Sequence, residues 1–306
     1  VRRLAPVCLA LAAALLGCSS GSGPGEGGGP AATAKSPTTS GSSTGERQIA
    51  YANRLPMAWY SYSVDEDTVI ESAQHVLTRR CLKTYGIEYE PPPQPLDAPR
   101  SADRRYGLSS ATEAALYGYH PNRDIAQLPD GPDLPKDALT VFYGKRGAPQ
   151  AGGGEKLTYK GKAIPDDGCF GQSVAKLSEE YDDPAGAAIA SRIANGSYEK
   201  SVSDPAVKEA FRKWSACMRS SGFRYSSPME PLNTPAFQGN DISAKEKQTA
   251  TADVRCKKET RLLDIWFKAE TGLQKAEIEK NTVALERLRA AHREKTEAAR
   301  RIVAEG

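Results

Sequence analysis

Histidine is almost absent from this chain of 306 residues: there are three, His75, His120 and His292, each in a different segment. A zinc site gathers several nitrogen and sulfur ligands, and the chain offers neither His-x-x-x-His nor Cys-x-x-Cys spacing. No metal and no other cofactor is expected. The phosphate-cradling Gly-x-x-x-x-Gly-Lys is missing too. Net charge is also scarce: 41 basic against 38 acidic residues leave a formal +3, and two of the basic residues are Arg2 and Arg3 at the start. Such a balance gives no electrostatic case for a nucleic-acid partner. A membrane-spanning run is lacking as well. The apolar stretch from Leu4 to Leu16 has about 13 residues, interrupted by Pro6, where a spanning helix needs about 20.

That stretch has the form of an export signal: a positive start, a short apolar run and small residues at its end. It closes on Leu15-Leu16-Gly17-Cys18, which resembles the lipobox of bacterial lipoproteins. The resemblance implies that the Cys18 thiol receives a diacylglyceryl group and that residues 1–17 are removed as a signal peptide, Cys8 with them. The mature chain is then lipid-anchored on the extracytoplasmic face of the cell membrane. Two acyl chains hold firmly where one binds reversibly, at about 0.8 kcal/mol per buried CH₂. Residues 18–47 are expected to form a lipidated, disordered tether. From Ser19 to about Glu46 they are nearly all Gly, Ser, Thr, Pro and Ala, with too little apolar surface to offset chain entropy. A segment of about 28 such residues spans roughly 30 Å root-mean-square.

Residues 48–306 read as a mainly α extracytoplasmic domain. Ser63-Val64-Asp65-Glu66 fits a capping box. Val69, Ile70, Ala73, Val76, Leu77 and Cys81 follow at helical spacing, predicting a helix over 64–85 that leaves through a left-handed Gly86. Pro91, Pro92, Pro93, Pro95 and Pro99 predict extended chain, Ser110–Tyr117 a short helix, and Gly152-Gly153-Gly154 a flexible loop. Leu139–Tyr143 and Leu157–Ile164 have strand-like composition and are expected as a small hairpin or edge pair. Cys169 introduces a helix with a stripe of Phe170, Val174, Leu177 and Tyr181, stopped by Asp182-Asp183-Pro184. Asp204-Pro205 opens another, as N-cap and first-turn proline, with Val207, Ala210, Phe211, Trp214, Cys217 and Met218 as its buried face and Gly222 at its end. Ser243-Ala244-Lys245-Glu246 is a second capping box. The segment 243–306 then reads as a single long C-terminal helix of about 60 residues, about 90 Å if unbroken, or as two broken near Thr271-Gly272. After Gly272 apolar residues thin out among charges of alternating sign. This fits an amphipathic helix packed along the domain and a projecting arm that meets a partner equally well.

Besides Cys18 the mature chain has Cys81, Cys169, Cys217 and Cys256. An even count in an exported chain implies disulfides, and four cysteines allow three pairings. An internal echo chooses among them. The run from Cys81 to Tyr89 matches the run from Cys217 to Tyr225 at Cys, Leu/Met, Lys/Arg, Gly, Ile/Phe and Tyr. Each copy ends a helix through glycine, and each is followed by one more cysteine at a helix. Pairs Cys81–Cys169 and Cys217–Cys256 follow, each stapling two successive helices. The apolar stripes upstream differ in phase, so duplication and convergent helix-end chemistry both account for the echo. The Trp214-x-x-Cys217-Met218-x-x-x-Gly222 run, with the Gly168-Cys169 helix start and the Cys256 helix, resembles a family of secreted or lipid-anchored actinobacterial proteins over most of the folded part. That family has no established activity, so the resemblance implies no catalytic residues.

Ser173-Val174-Ala175-Lys176 matches Ser-x-x-Lys, the nucleophile motif of penicillin-binding enzymes, but so does Ser197-Tyr198-Glu199-Lys200, and the companion Ser-Asp-Asn and Lys-Thr-Gly motifs are missing. Chance explains both. The pairs Asp166-Asp167, Glu179-Glu180 and Asp182-Asp183 match no calcium loop and read as exposed helix ends and turns. His75 reads as a surface or boundary residue, and Trp214, Phe211 and Met218 as core. No catalytic residue is assigned. The expected function is a non-catalytic binding or accessory protein at the cell envelope, partnered by the membrane through lipid on Cys18 and by an envelope protein or the cell wall. The alternative is a secreted cell-wall-directed hydrolase with a site scattered over residues 90–165.

Overall fold

The computed structural model describes residues 48–91, 104–121, 131–147 and 156–306. Cys18, the 18–47 tether, Pro92 to Pro99 and the Gly152-Gly153-Gly154 run lie outside them. Helix α1 (Val64–Lys83) starts in the expected capping box. Ser63 Oγ accepts the Glu66 N–H at 3.2 Å while Glu66 Oε2 accepts the Ser63 N–H at 2.8 Å, so two free donors are satisfied reciprocally. Gly86 follows with φ +71°. Helix α2 (Ala111–Tyr117) begins under Ser110, whose hydroxyl accepts the Glu113 N–H.

The expectation of a strand over Leu139–Tyr143 is wrong: these residues belong to helix α3 (Lys136–Tyr143). Ala138, Val141 and Phe142 fall at helical spacing and pack against Leu82, Tyr89 and Cys169. That burial overrides strand propensity, which mostly expresses how well a side chain fits its neighbours. Among the described residues, strand pairing is confined to β1 (Thr158–Tyr159) and β2 (Lys162–Ala163), an antiparallel ladder with Thr158 opposite Ala163. It lies within the expected 157–164 stretch.

Asp182-Asp183-Pro184 ends α4 (Gly168–Tyr181) as expected and at once starts α5 (Pro184–Val202). Asp183 accepts the Gly186 N–H and Pro184 occupies the first turn, the same Asp-Pro chemistry that opens α6 (Pro205–Ser220). The segment 243–306 is three helices, α7 (Ala244–Glu259), α8 (Leu262–Lys280) and α9 (Thr282–Ala304). The breaks fall at Arg261, left-handed at φ +53°, and at Asn281; Gly272 lies inside α8. The turn at Arg261 lets Leu262, Leu263 and Trp266 fold back into the core around α6.

Helix α9 does not project. It packs on α1, α4 and α5, burying Leu285, Leu288, Ala298 and Ala299. Small side chains bring helix axes close, so few large apolar residues are needed. Lys295 is buried with its ammonium 2.8 Å from Asp182 Oδ1. The two disulfides join Cys81 to Cys169, tying α1 to α4, and Cys217 to Cys256, tying α6 to α7, with Cα separations of 5.6 and 5.7 Å. One core cluster gathers Leu82, Ile87, Val141 and Phe142 beside the first disulfide. Another gathers Val207, Trp214, Met218, Leu262 and Trp266 beside the second.

The end of α3 crosses the start of α4 at backbone contact. A Cβ on Gly168, at φ +68°, would lie 2.3 Å from Phe142 O; Gly86 has a similar φ of +71° with nothing within 4 Å. Gly86→Ala is therefore expected to cost about 1 kcal/mol, from the left-handed backbone alone. Gly168→Ala is expected to cost at least ~3 kcal/mol, because the helices must also separate. Urea melts of the two variants check this, and equal midpoints would contradict the close crossing.

Candidate functional site

Helix α7 reads as a solvated charged helix, yet Glu246, Thr249, Asp253 and Lys257, spaced along one face, are buried. Glu246 and Lys257 reach the irregular chain around α2, at Tyr119, His120 and Leu108. Asp253 Oδ1 accepts the Trp214 Nε1–H at 2.9 Å, and Oδ2 lies 2.9 Å from Lys257 Nζ. Lys257 also donates to Leu108 O at 3.1 Å. Asp253 and Lys257 have side-chain exposures of 0 % and 1 %. Burial pushes the Asp253 carboxyl up, against the pull of the Lys257 ammonium and the Trp214 N–H.

Near the middle of α8, Glu270 is buried among donors. Its oxygens accept from Arg105 Nε at 2.9 and 3.1 Å and from Arg105 Nη2. Tyr106 Oη donates at 2.6 Å, and Ser197 Oγ and Gln274 Nε2 at 3.1 Å. Burial first, and then the bond to Glu270, holds the Tyr106 phenol far above its ordinary range. At the start of α7 the expected second capping box is half formed: Ser243 Oγ accepts the Glu246 N–H at 3.1 Å. The Glu246 side chain turns inward instead, where Oε1 accepts the Tyr119 N–H at 2.8 Å and meets His120 Nδ1 at 2.8 Å. Gly118 is needed there, because a Cβ would lie 2.5 Å from that oxygen. Buried charges persist when paired and hydrogen-bonded. These three carboxylates clamp residues 104–120 to α7 and α8, and their contacts are with the chain itself.

The histidines stay apart. His120 sits in the clamp. His75 on α1 has neither ring nitrogen hydrogen-bonded among the described residues, with Glu71 at 4.0 Å. His292 on α9 stacks on Tyr62 at 3.9 Å between centroids. Ser173 is buried, accepting from Thr78 Oγ1 at 3.0 Å and donating to Phe170 O at 2.7 Å, while Lys176 is exposed. Ser197 is likewise buried in the Glu270 network and Lys200 exposed, so neither Ser-x-x-Lys motif forms a serine–lysine pair. The acidic pairs are separate surface features. Asp166 meets Lys145 at 2.9 Å and Asp183 meets Arg287 at 2.8 Å. Among the described residues no group of three or more His, Cys, Asp or Glu is arranged to hold a metal, and no helix is long and apolar enough to cross a membrane. Trp214 is core, with a polar anchor in Asp253. One open concavity, of 630 Å³, lies between α2, the end of α6 and the outer face of α7.

Two outcomes follow. Burial holds His75 and His292 below the ordinary imidazole value of 6.5, with Glu71 opposing it at the first and Glu66 and Asp182 at the second. The unfolded chain therefore binds more protons at these sites, so stability rises with pH. Their contribution is fully present above pH 6.5 and is lost as pH falls below it. Urea melts between pH 7.5 and 5 are expected to show this loss, and the slope to flatten in the His75→Gln/His292→Gln double variant; an unchanged slope would contradict it. Glu270→Leu removes the buried carboxylate that Arg105, Tyr106, Ser197 and Gln274 bind and is expected to cost about 3–5 kcal/mol. It should also raise amide exchange at residues 104–110, and unaltered protection there would refute the clamp.

No family model, curated protein or solved structure matches the chain.

Proposed function

We propose that this chain is an extracytoplasmic lipoprotein, anchored through Cys18, that acts without catalysis as a binding or accessory protein at the cell envelope. The observation that carries this reading is the pair of disulfides, Cys81–Cys169 and Cys217–Cys256. They belong to oxidising surroundings and agree with the export signal and the lipobox-like Leu15-Leu16-Gly17-Cys18. The Trp214 and Cys217 motif, with its resemblance to secreted and lipid-anchored proteins, points the same way. The buried carboxylates favour binding over hydrolysis, because their donors come from the chain and leave them to position the fold. A tether of about 28 residues gives the domain a reach of roughly 30 Å from the bilayer, suited to an envelope protein or wall material as partner.

Fractionation of cells expressing the chain and Cys18→Ala tests the anchor. The native protein is expected in the membrane fraction with palmitate label, and the variant in the soluble fraction without it. A membrane-bound, unlabelled Cys18→Ala protein would overturn the anchor. Cross-linking on intact cells tests the binding role, which fails if neither a protein neighbour nor wall material is recovered.

A further inference from the structure

We propose that His120, Glu246 and the Gly239 carbonyl form a proton-dependent latch that closes residues 239–242 over the start of α7 and releases them as pH rises. The His120 ring meets an acceptor at each nitrogen: Nδ1 lies 2.8 Å from Glu246 Oε1, and Nε2 lies 2.7 Å from Gly239 O. A neutral imidazole carries one N–H and can donate to only one of them, whereas an imidazolium donates to both. Both contacts have the length of charge-assisted bonds. The surroundings favour the second proton. Glu246 has a side-chain exposure of 0 %, and its Oε2 has no hydrogen-bond partner among the described residues. A carboxylate buried in this way calls for a counter-charge. Arg104 is the other cation beside the ring, but its guanidinium is occupied by the main-chain carbonyls of Tyr119 and His120 and lies 3.8 Å from Glu113 of α2. Lys245 and Lys247 flank Glu246 without being buried, Asp241 on the closing segment is exposed, and Asp253, deeper along α7, is paired with Lys257.

The two bonds respond differently when a proton leaves. The N–H that remains goes to the carboxylate, since a bond to an ionised acceptor is roughly twice as strong as one to a neutral carbonyl. Nε2 then turns a lone pair on Gly239 O at hydrogen-bond distance, and the segment separates. Glu246 keeps its bonds to the Tyr119 N–H and to His120, so the clamp on residues 104–120 stays shut. Both ends of the moving segment are held. Phe237 is buried against the Tyr119 ring, with 5.7 Å between centroids, and Gln238 Nε2 donates to Leu232 O at 2.6 Å. At the other end Ser243 caps α7. Gly239, Asn240 and Asp241 between them are exposed, so their movement breaks little apolar packing. In a domain exported as proposed above, the pH of the medium sets this latch; the latch itself belongs to the folded chain and does not depend on export.

The test is a pH titration, followed by nuclear magnetic resonance, of the full chain with both disulfides intact and its histidine rings isotopically labelled at nitrogen. The chain has three histidines, and His120→Gln identifies the His120 signals among them. The expected result is a His120 ring protonated at both nitrogens at about pH 6, which loses the Nε2 proton as the pH is raised towards about 9. Amide exchange at residues 240–242, corrected for the intrinsic effect of pH, is expected to rise about tenfold through the same step, as for the loss of one hydrogen bond, while the Tyr119 amide keeps its protection. In His120→Gln that step in exchange should vanish. The ring signals and the exchange are read on the unaltered chain, so a variant that folds poorly leaves the test intact. A His120 ring with one bare nitrogen at about pH 6, or exchange at 240–242 that does not follow the ring's titration, overturns the proposal.

Discussion

Covalent closure of two long chain segments is the constraint on which the rest of this fold depends. Cys81 and Cys169 are 88 positions apart, Cys217 and Cys256 39 apart. On the chain-entropy account each closure removes about 4–5 kcal/mol of disorder from the unfolded ensemble. The benefit is largest for the first, whose loop is the longer at 88 positions against 39. Apolar burial is divided among several modest clusters, centred on Trp214 and Trp266, on Val141 and Phe142, on Leu108 and Phe237, and on Ile70 and Leu177. Divided cores of this kind leave a narrow margin, because net stability is a small difference of large terms.

Within that frame α7 turns one charged face inward and another outward. The inward face carries Glu246, Asp253 and Lys257, each buried and each hydrogen-bonded, Glu246 through Oε1. A buried charge that loses its partner is strongly destabilising, so these residues specify where residues 104–120 lie rather than offering reactive groups. The outward face carries Lys247, Thr251 and Arg255, none of them buried. The inward clamp holds the chain around α2 against this helix.

Much of the fold was legible where backbone chemistry is local. Ser63 with Glu66, Ser110, and Asp204 with Pro205 all announced their helices by satisfying free N–H groups, and the echo between Cys81–Tyr89 and Cys217–Tyr225 identified both disulfides. Helix α5 had the same Asp-Pro signal at Asp183-Pro184, but its Ala- and Gly-rich face shows no strong apolar stripe. Helix α3 was hidden by a β-prone run whose fate is decided by packing on Leu82 and Cys169. The breaks at Arg261 and Asn281 carry no glycine or proline; Trp266 and Leu285, which follow them, are buried. Least legible was the interior of α7, where Glu246 and Asp253 look no different from the exposed Lys258 and Glu259. Only the approach of Tyr119, His120 and Trp214 from distant sequence distinguishes them.

The two disulfides, the proposed export and the proposed binding role all require an oxidised protein outside the cytosol. Trapping thiols in intact cells with a membrane-impermeant alkylating agent, then mapping non-reduced peptides by mass spectrometry, tests that requirement directly. The expected result is no alkylation at Cys81, Cys169, Cys217 or Cys256, and linked peptides joining the first to the second and the third to the fourth. Folded protein that is recovered with those four thiols free and reactive only after lysis would contradict it.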